Sequence, residues 1–208
     1  MSIHQIFGLI AGAISLCAYG LYIYQIWRGN TRPSRSSWWI LTVVWGVLLA
    51  SSLSLGSEGV GSNWTAYVER GIQVVYVAGS LVIAISTIWR GSSQPWGRLD
   101  WLCAASAGLA LILYFVFENF ALSLAMSLLA DIFGIIPTVQ NARKYPQHED
   151  FNAWALESFA SVLALFAITT WAFTLDSASE MLPVFYLVII NISITYLIWS
   201  GRRKLKSI

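Results

Sequence analysis

Seven apolar stretches of this chain read as candidate bilayer crossings, and they leave little else. They run approximately over 5–27, 38–56, 67–89, 98–117, 119–141, 152–174 and 181–200. Each crossing helix takes about 20 residues, so seven of them consume roughly 140 positions and leave only short connections in a 208-residue chain. Charged residues make up 11% of the chain and hydrophobic ones 57%, whereas a soluble domain carries about 25% charged residues. Mean hydropathy is +0.66. The expectation is an all-α membrane protein, a single bundle of seven transmembrane helices with no separate soluble domain.

The basic residues orient that bundle. Arg28, Arg32 and Arg35 follow the first stretch, and Arg90 and Arg98 the third. Arg143 and Lys144 follow the fifth, and Arg202, Arg203, Lys204 and Lys206 the seventh. Eleven of the 12 Lys and Arg therefore fall on one side, with Arg70 alone on the other. Lys and Arg near helix ends are retained on the cytoplasmic side during insertion. The spacing predicts an integral, multi-pass protein of the cell (inner) membrane, N-terminus outside and C-terminus cytoplasmic. A net charge of +2 carried at membrane boundaries points to anionic lipid head groups as partners, not to nucleic acid.

Other features are less informative. Cys17 and Cys103 lie inside apolar runs and read as inert buried thiols rather than a disulfide framework. The first 27 residues have no basic segment ahead of their apolar run and no clear small-residue cleavage site, so they read as a first span and not a removable signal. Asn63-Trp64-Thr65 matches a glycosylation sequon in an outward loop. Trp27, Trp38, Trp39, Trp89 and Trp199 fall at the cytoplasmic boundary, and Trp64, Tyr67 and Trp171 toward the other. Most of the 11 Trp are expected to form interfacial belts.

The chain also repeats itself. Thr87-Ile-Trp-Arg-Gly91 ends the third stretch and Leu197-Ile-Trp-Ser-Gly201 the seventh, 110 positions later. Arg28, Pro33 and Trp39 recur as Arg143, Pro146 and Trp154, offset by 115, 113 and 115. Stretches 1–3 and 5–7 read as two copies of a three-helix unit joined by stretch 4, giving a first repeat at 1–91, a linker helix at 92–118 and a second repeat at 119–208. Four crossings separate span 1 from span 5, so the copies run in parallel, related by an axis along the membrane normal.

This 3+1+3 plan of parallel repeats, with the N-terminus outside, resembles the SWEET and PQ-loop transporters. That family carries a Pro-Gln dipeptide near the cytoplasmic end of the first helix of each repeat. Tyr24-Gln25 and Pro137-Thr138 occupy those places here, 113 positions apart, and each keeps one half of the dipeptide. Ile136-Pro-Thr-Val-Gln140 followed by Lys144 is the segment most similar to the family's second repeat. The resemblance covers the whole chain in topology and about 40 residues in motif. It implies transport of a small polar solute, such as a sugar, by alternating access, with Tyr24, Gln25 and Pro137 as gating or hinge residues. Independently of the family, Pro137 deprives the Phe133 carbonyl of its usual helical donor and supplies a point where a helix bends.

Polar residues inside the apolar runs mark the candidate site. An ionisable side chain at mid-bilayer costs roughly 2.5–3.5 kcal/mol on insertion scales, and Asp131 and Glu157 are the two deepest. No Lys or Arg lies within the central part of any span to neutralise them. Such carboxyls can carry a proton, bind a cation or hydrogen-bond a sugar hydroxyl. Asn191 sits mid-span in Ile189-Ile-Asn-Ile-Ser193, where the resemblance implies a sugar-facing asparagine on the third helix of a repeat. Its counterpart in the first copy is Leu81, while Gln73 and Tyr76 offer polar contacts on that helix. The resemblance likewise implies an aromatic wall from the second helix, which Trp45 supplies, although its counterpart in the second copy is Ala160. Trp45, Gln73, Tyr76, Asp131, Glu157 and Asn191 are thus the expected substrate-binding residues. Proton coupling through Asp131 is a secondary expectation.

Other classes fit the residues less well. His4 and His148 stand at span boundaries and no His, Cys and carboxylate cluster suggests a metal. No cofactor is expected. Every lysine lies at a span end, which leaves no partner for a retinal aldehyde, and no catalytic constellation suggests an enzyme. A seven-helix vitamin carrier of the Pnu type or an amino-acid transporter remains an alternative. So does a non-transporting receptor, although the chain has no intramembrane basic pocket for a peptide carboxylate. The residues leave a homo-oligomer open.

Overall fold

A computed structural model describes residues 2–54, 64–91, 96–116, 120–168 and 175–206. Among them are seven α-helices: α1 (Ile3–Trp27), α2 (Arg35–Ser54), α3 (Trp64–Arg90), α4 (Arg98–Val116), α5 (Phe120–Lys144), α6 (Phe151–Leu165) and α7 (Leu175–Lys206). A 3-10 turn at Pro146–His148 joins α5 to α6, and no strand occurs among the described residues. Ile3–Trp27, Arg98–Val116 and Met181–Leu205 are each long and apolar enough to cross a membrane, with shorter apolar helical segments at Arg35–Leu49, Val74–Arg90 and Phe151–Leu165. The described residues are thus helical, with three helices suited to a membrane. Asn63 and Trp171 lie outside the described residues.

The chain forms two compact units. The first comprises Met1–Pro33, Arg90–Ser92 and Thr138–Ile208; the second comprises Ser34–Trp89 and Ser93–Pro137. The continuous helix α5 passes from the second unit to the first at Pro137.

In the first unit α1 packs on α6, and α6 on α7. Helix α1 starts with a capping box: Ser2 Oγ accepts from the Gln5 backbone N–H, and Gln5 Oε1 accepts from the Ser2 backbone N–H, satisfying two of the orphan donors at a helix start. It ends in a Schellman motif, with Gly29 N–H donating to the Ile26 carbonyl and Asn30 N–H to the Gln25 carbonyl. That ending requires the left-handed φ of 78° at Gly29. The buried stripe of α1 is Ala11, Ser15, Ala18, Tyr22 and Ile26, and that of α6 includes Ala153, Ser158, Ala160 and Ser161. Small residues on facing stripes let helix backbones approach closely, the usual means of helix association in lipid.

The contacts fix directions within this unit. His4 and Phe7 near the start of α1 meet Phe166 just beyond α6, whereas Tyr22 near its end meets Trp154 near the start of α6. Helices α1 and α6 are therefore antiparallel. Ser158 bonds Thr195, and the Pro146 turn ahead of α6 touches Gly201 near the end of α7, so α6 and α7 are antiparallel as well.

The second unit is built around an apolar cluster of Ile40, Val44, Cys103, Ala107, Ala110, Leu111 and Ala130 from α2, α4 and α5. At Gly134 α5 approaches α2 so closely that a Cβ would lie 2.9 Å from Leu41 Cδ2 and 3.2 Å from Ile40 Cγ2. Ser37 Oγ donates to the Gly134 carbonyl there, beside the Phe133 carbonyl that Pro137 leaves short of a donor. Arg35 at the start of α2 donates to the carbonyls of Thr87 and Ile88 at the end of α3, offsetting the partial negative charge of a helix C-terminus. Ser36 donates to Asp100 at the start of α4. Helices α2 and α4 therefore run in the same direction, and α3 and α5 run opposite to them.

Tryptophan positions divide. Trp27, Trp89, Trp101 and Trp199 are exposed, as belt residues should be. Trp38 and Trp154, by contrast, are buried. Each is drawn inward because it falls on the buried face of its helix, beside Ser37 on α2 and Ala153 on α6.

Candidate functional site

The expected site residues divide between the units. Glu157 and Asn191 belong to the first, and Trp45, Gln73, Tyr76 and Asp131 to the second.

In the first unit Glu157 stands half-buried on α6, and its Oε1 accepts a hydrogen bond from Ser15 of α1 at 3.1 Å. One residue along, the Ser158 hydroxyl lies 2.8 Å from that of Thr195 on α7. Ser161, a turn further, donates to the Ser158 carbonyl. Asn191 precedes Thr195 by one helical turn, on the same face of α7. It is 4% exposed and its Nδ2 meets no hydrogen-bond partner. A buried donor left unmade costs about 1–3 kcal/mol, so this amide is available to an acceptor that the fold does not supply. The first unit thus carries a polar strip from Ser15 through Glu157 and Ser158 to Thr195 and Asn191.

In the second unit Trp45 and Tyr76 stack, ring centroids 5.0 Å apart and planes 19° from parallel. Both rings are half-buried, forming an aromatic platform from α2 and α3. Asp131 is buried near the middle of α5, with buried Ser127 one turn earlier on the same face. Gln73 belongs to α3, but its side chain is outside those described.

The expected hinge residues differ among themselves. Pro137 sits inside α5. Tyr24 and Gln25 instead lie in the last turn of α1, where both take part in closing the helix end. Arg28 donates to the Tyr24 hydroxyl at 3.1 Å, and Gln25 accepts from Asn30 through both side chain and backbone.

No family model, no curated protein and no solved structure matches this chain. The geometry must therefore carry the functional reading.

One group escaped the sequence reading. Glu149, in the connection between α5 and α6, is fully buried. Its Oε2 accepts from the Tyr22 hydroxyl at 2.5 Å and from Trp154 Nε1 at 3.1 Å, and its Oε1 accepts from Asn141 Nδ2 at 2.7 Å. Burial pushes its carboxyl up from 4.5 to about 7, against the opposing pull of those three hydrogen bonds. Asp150 beside it caps α6, accepting from the Ala153 N–H at 2.8 Å. The sequence reading places His148 at a span boundary and assigns no role to Glu149 or Asp150 beside it. The available signal was this acidic pair, placed between basic residues and the start of an apolar helix.

Proposed function

We propose that this protein is a seven-span transporter of a small polar solute, working by alternating access, with its N-terminus outside and its C-terminus in the cytoplasm. The observation that carries the reading is the polar strip of the first unit, ending in the buried, unsatisfied Nδ2 of Asn191. Lipid-spanning helices keep costly polar groups inward where they serve a solute or ion path. The Trp45–Tyr76 stack adds an aromatic face of the kind that holds sugar or other ring-bearing solutes, and Asp131 a carboxyl suited to proton coupling.

Two further features support the repeat and topology within this proposal. Each unit mixes helices of both sequence copies. The first contains α1 with α6 and α7, and the second α2, α3 and α4 with α5 as far as Pro137, so the first helix of each sequence copy groups largely with the second and third of the other, and the linker helix α4 joins the second unit. Helix directions also alternate within each unit, as successive crossings require. Arg28, Arg32, Arg143, Lys144, Arg202 and Arg203 all flank the same end of the first unit, and this supports a cytoplasmic assignment for it.

Uptake into proteoliposomes tests the proposal, using sugars, amino acids and vitamins with and without a proton gradient. Saturable flux of at least one solute is expected, reduced at least about tenfold in Asn191→Leu, a loss of about 1.4 kcal/mol of transition-state binding. Asp131→Asn should remove any dependence on the gradient. Absence of flux for every solute would return the reading to a receptor.

A further inference from the structure

Apart from the transport site, the connection between α5 and α6 carries a buried carboxyl with no counter-cation on its oxygens. Every element around it contributes to Glu149. Tyr22 arrives from α1, Asn141 from α5 and Trp154 from α6, each donating to a carboxylate oxygen. From α7, Arg202 donates not to the carboxylate but to backbone carbonyls, Nε to Pro146 at 3.2 Å and Nη2 to Glu149 at 2.5 Å. The segment after α1 is tied in by the Arg32 N–H, which donates to the His148 carbonyl at 2.8 Å, and by Asn141, which also donates to the Arg32 carbonyl at 3.3 Å. Gly201 makes the docking possible, because a Cβ there would lie 2.7 Å from the Pro146 ring. One acid thus sits where α1, α5, α6 and α7 converge.

We propose that Glu149 is a proton-binding site that latches the Tyr145–Asp150 connection onto the first unit, closed when the carboxyl is protonated and released when it is ionised. The direction follows from desolvation. In the docked state the carboxyl is fully buried, and burial disfavours its charged form. In an undocked state the ionised carboxyl would be hydrated, so losing the proton favours undocking by linkage. The neutral acid still fits its surroundings. It accepts from Asn141 and Trp154 while its own proton is shared with the Tyr22 oxygen, since a phenol can accept as well as donate.

The charged and titratable groups facing this acid are few. They are Tyr22 on α1, Arg32 after it, His148 and Asp150 on either side, and Arg202 on α7; Arg143 and Lys144 at the end of α5 are exposed. Of these, His148 titrates nearest to neutrality, but its burial and the adjacent Arg32 hold it below its usual range. Both influences favour its neutral form.

The proposal is independent of the transport reading, because its test measures local opening and not flux. Hydrogen–deuterium exchange of segment 145–151 is followed by mass spectrometry on the full chain in lipid nanodiscs, from pH 4.5 to 8.5, corrected for intrinsic exchange rates. Opening should rise with pH by up to about tenfold per unit, the limit for one proton, and level off above neutrality. Glu149→Gln, which mimics the protonated acid, should keep the segment protected throughout. Tyr22→Phe removes a donor to the anion, so its plateau should begin at higher pH. His148→Gln should leave the profile in place. A flat wild-type profile, a rise persisting in Glu149→Gln, or loss of the rise in His148→Gln would each overturn the latch. Should Glu149→Gln fail to fold, an unmoved plateau in Tyr22→Phe overturns it equally.

Discussion

At the scale of single residues, the buried polar groups of the first unit pull stability and function in opposite directions. Asn191 keeps an amide nitrogen buried without a partner, which costs stability where an apolar side chain would not. Asn191→Leu should therefore leave the thermal midpoint of the detergent-solubilised protein unchanged or higher, even as uptake falls. A lower midpoint would mean that the amide has a structural role. Glu149 bears on stability through pH. Its carboxyl stands at about 7 when folded against 4.5 when solvated, so it stabilises the fold fully below about 4.5 and that contribution is lost as pH rises through 7. The interval corresponds to roughly 3 kcal/mol at 1.36 kcal/mol per pH unit. Thermal midpoints should fall between pH 5 and 8, and Glu149→Gln should flatten that dependence. A midpoint that climbs over this range would contradict the assignment.

At the scale of elements, what was legible depended on whether local chemistry or packing decides the outcome. The helices were visible because sustained apolar runs in 20-residue blocks have few other solutions. The depth of Asp131 and the interruption at Pro137 could be counted along α5 from the sequence. The closure of α1 was harder to see. Tyr24 and Gln25 resemble half of a hinge motif, while Gly29, four residues beyond Gln25, lets the chain draw the Gln25 carbonyl into a Schellman motif. Glu149 was not legible at all, since its partners lie 127, 8 and 5 positions away and no pattern links Tyr22 to it. Helix α7 shows the same dependence on packing. Gly201 reads as half of a repeated Trp-x-Gly ending, yet its structural task is contact with Pro146. Gly201→Ala should press a methyl into a ring that cannot rotate away, at a cost of about 1–3 kcal/mol typical of overpacking. Thermal unfolding measures that loss, and exchange should rise in segment 145–151 at every pH. An unchanged midpoint would show that α7 docks on the turn without close contact at Gly201.

At the scale of the whole molecule, helix direction is the quantity that ties sequence to fold. Within the first unit α1 and α7 are each antiparallel to α6 and so parallel to one another, as the first and last of an odd number of crossings must be. In the proposed seven-span topology the start of α1 and the end of α7 emerge on opposite sides of a bilayer. Basic residues at the end of α1, before α6 and at the end of α7 gather at one end of the first unit, which the proposed topology makes the cytoplasmic one. Single cysteines in a Cys17→Ser, Cys103→Ser background make this measurable in intact cells. Ser2→Cys should react with an impermeant maleimide added outside, while Gln147→Cys and Leu205→Cys should react only after permeabilisation. All three positions are exposed, so a failure to react reports sidedness and not burial. Labelling of Ser2→Cys and Leu205→Cys from the same side would require an even number of crossings. That result would remove the parallel relation between the two sequence copies, because a fifth span entered from the opposite face would make the repeat an inverted one.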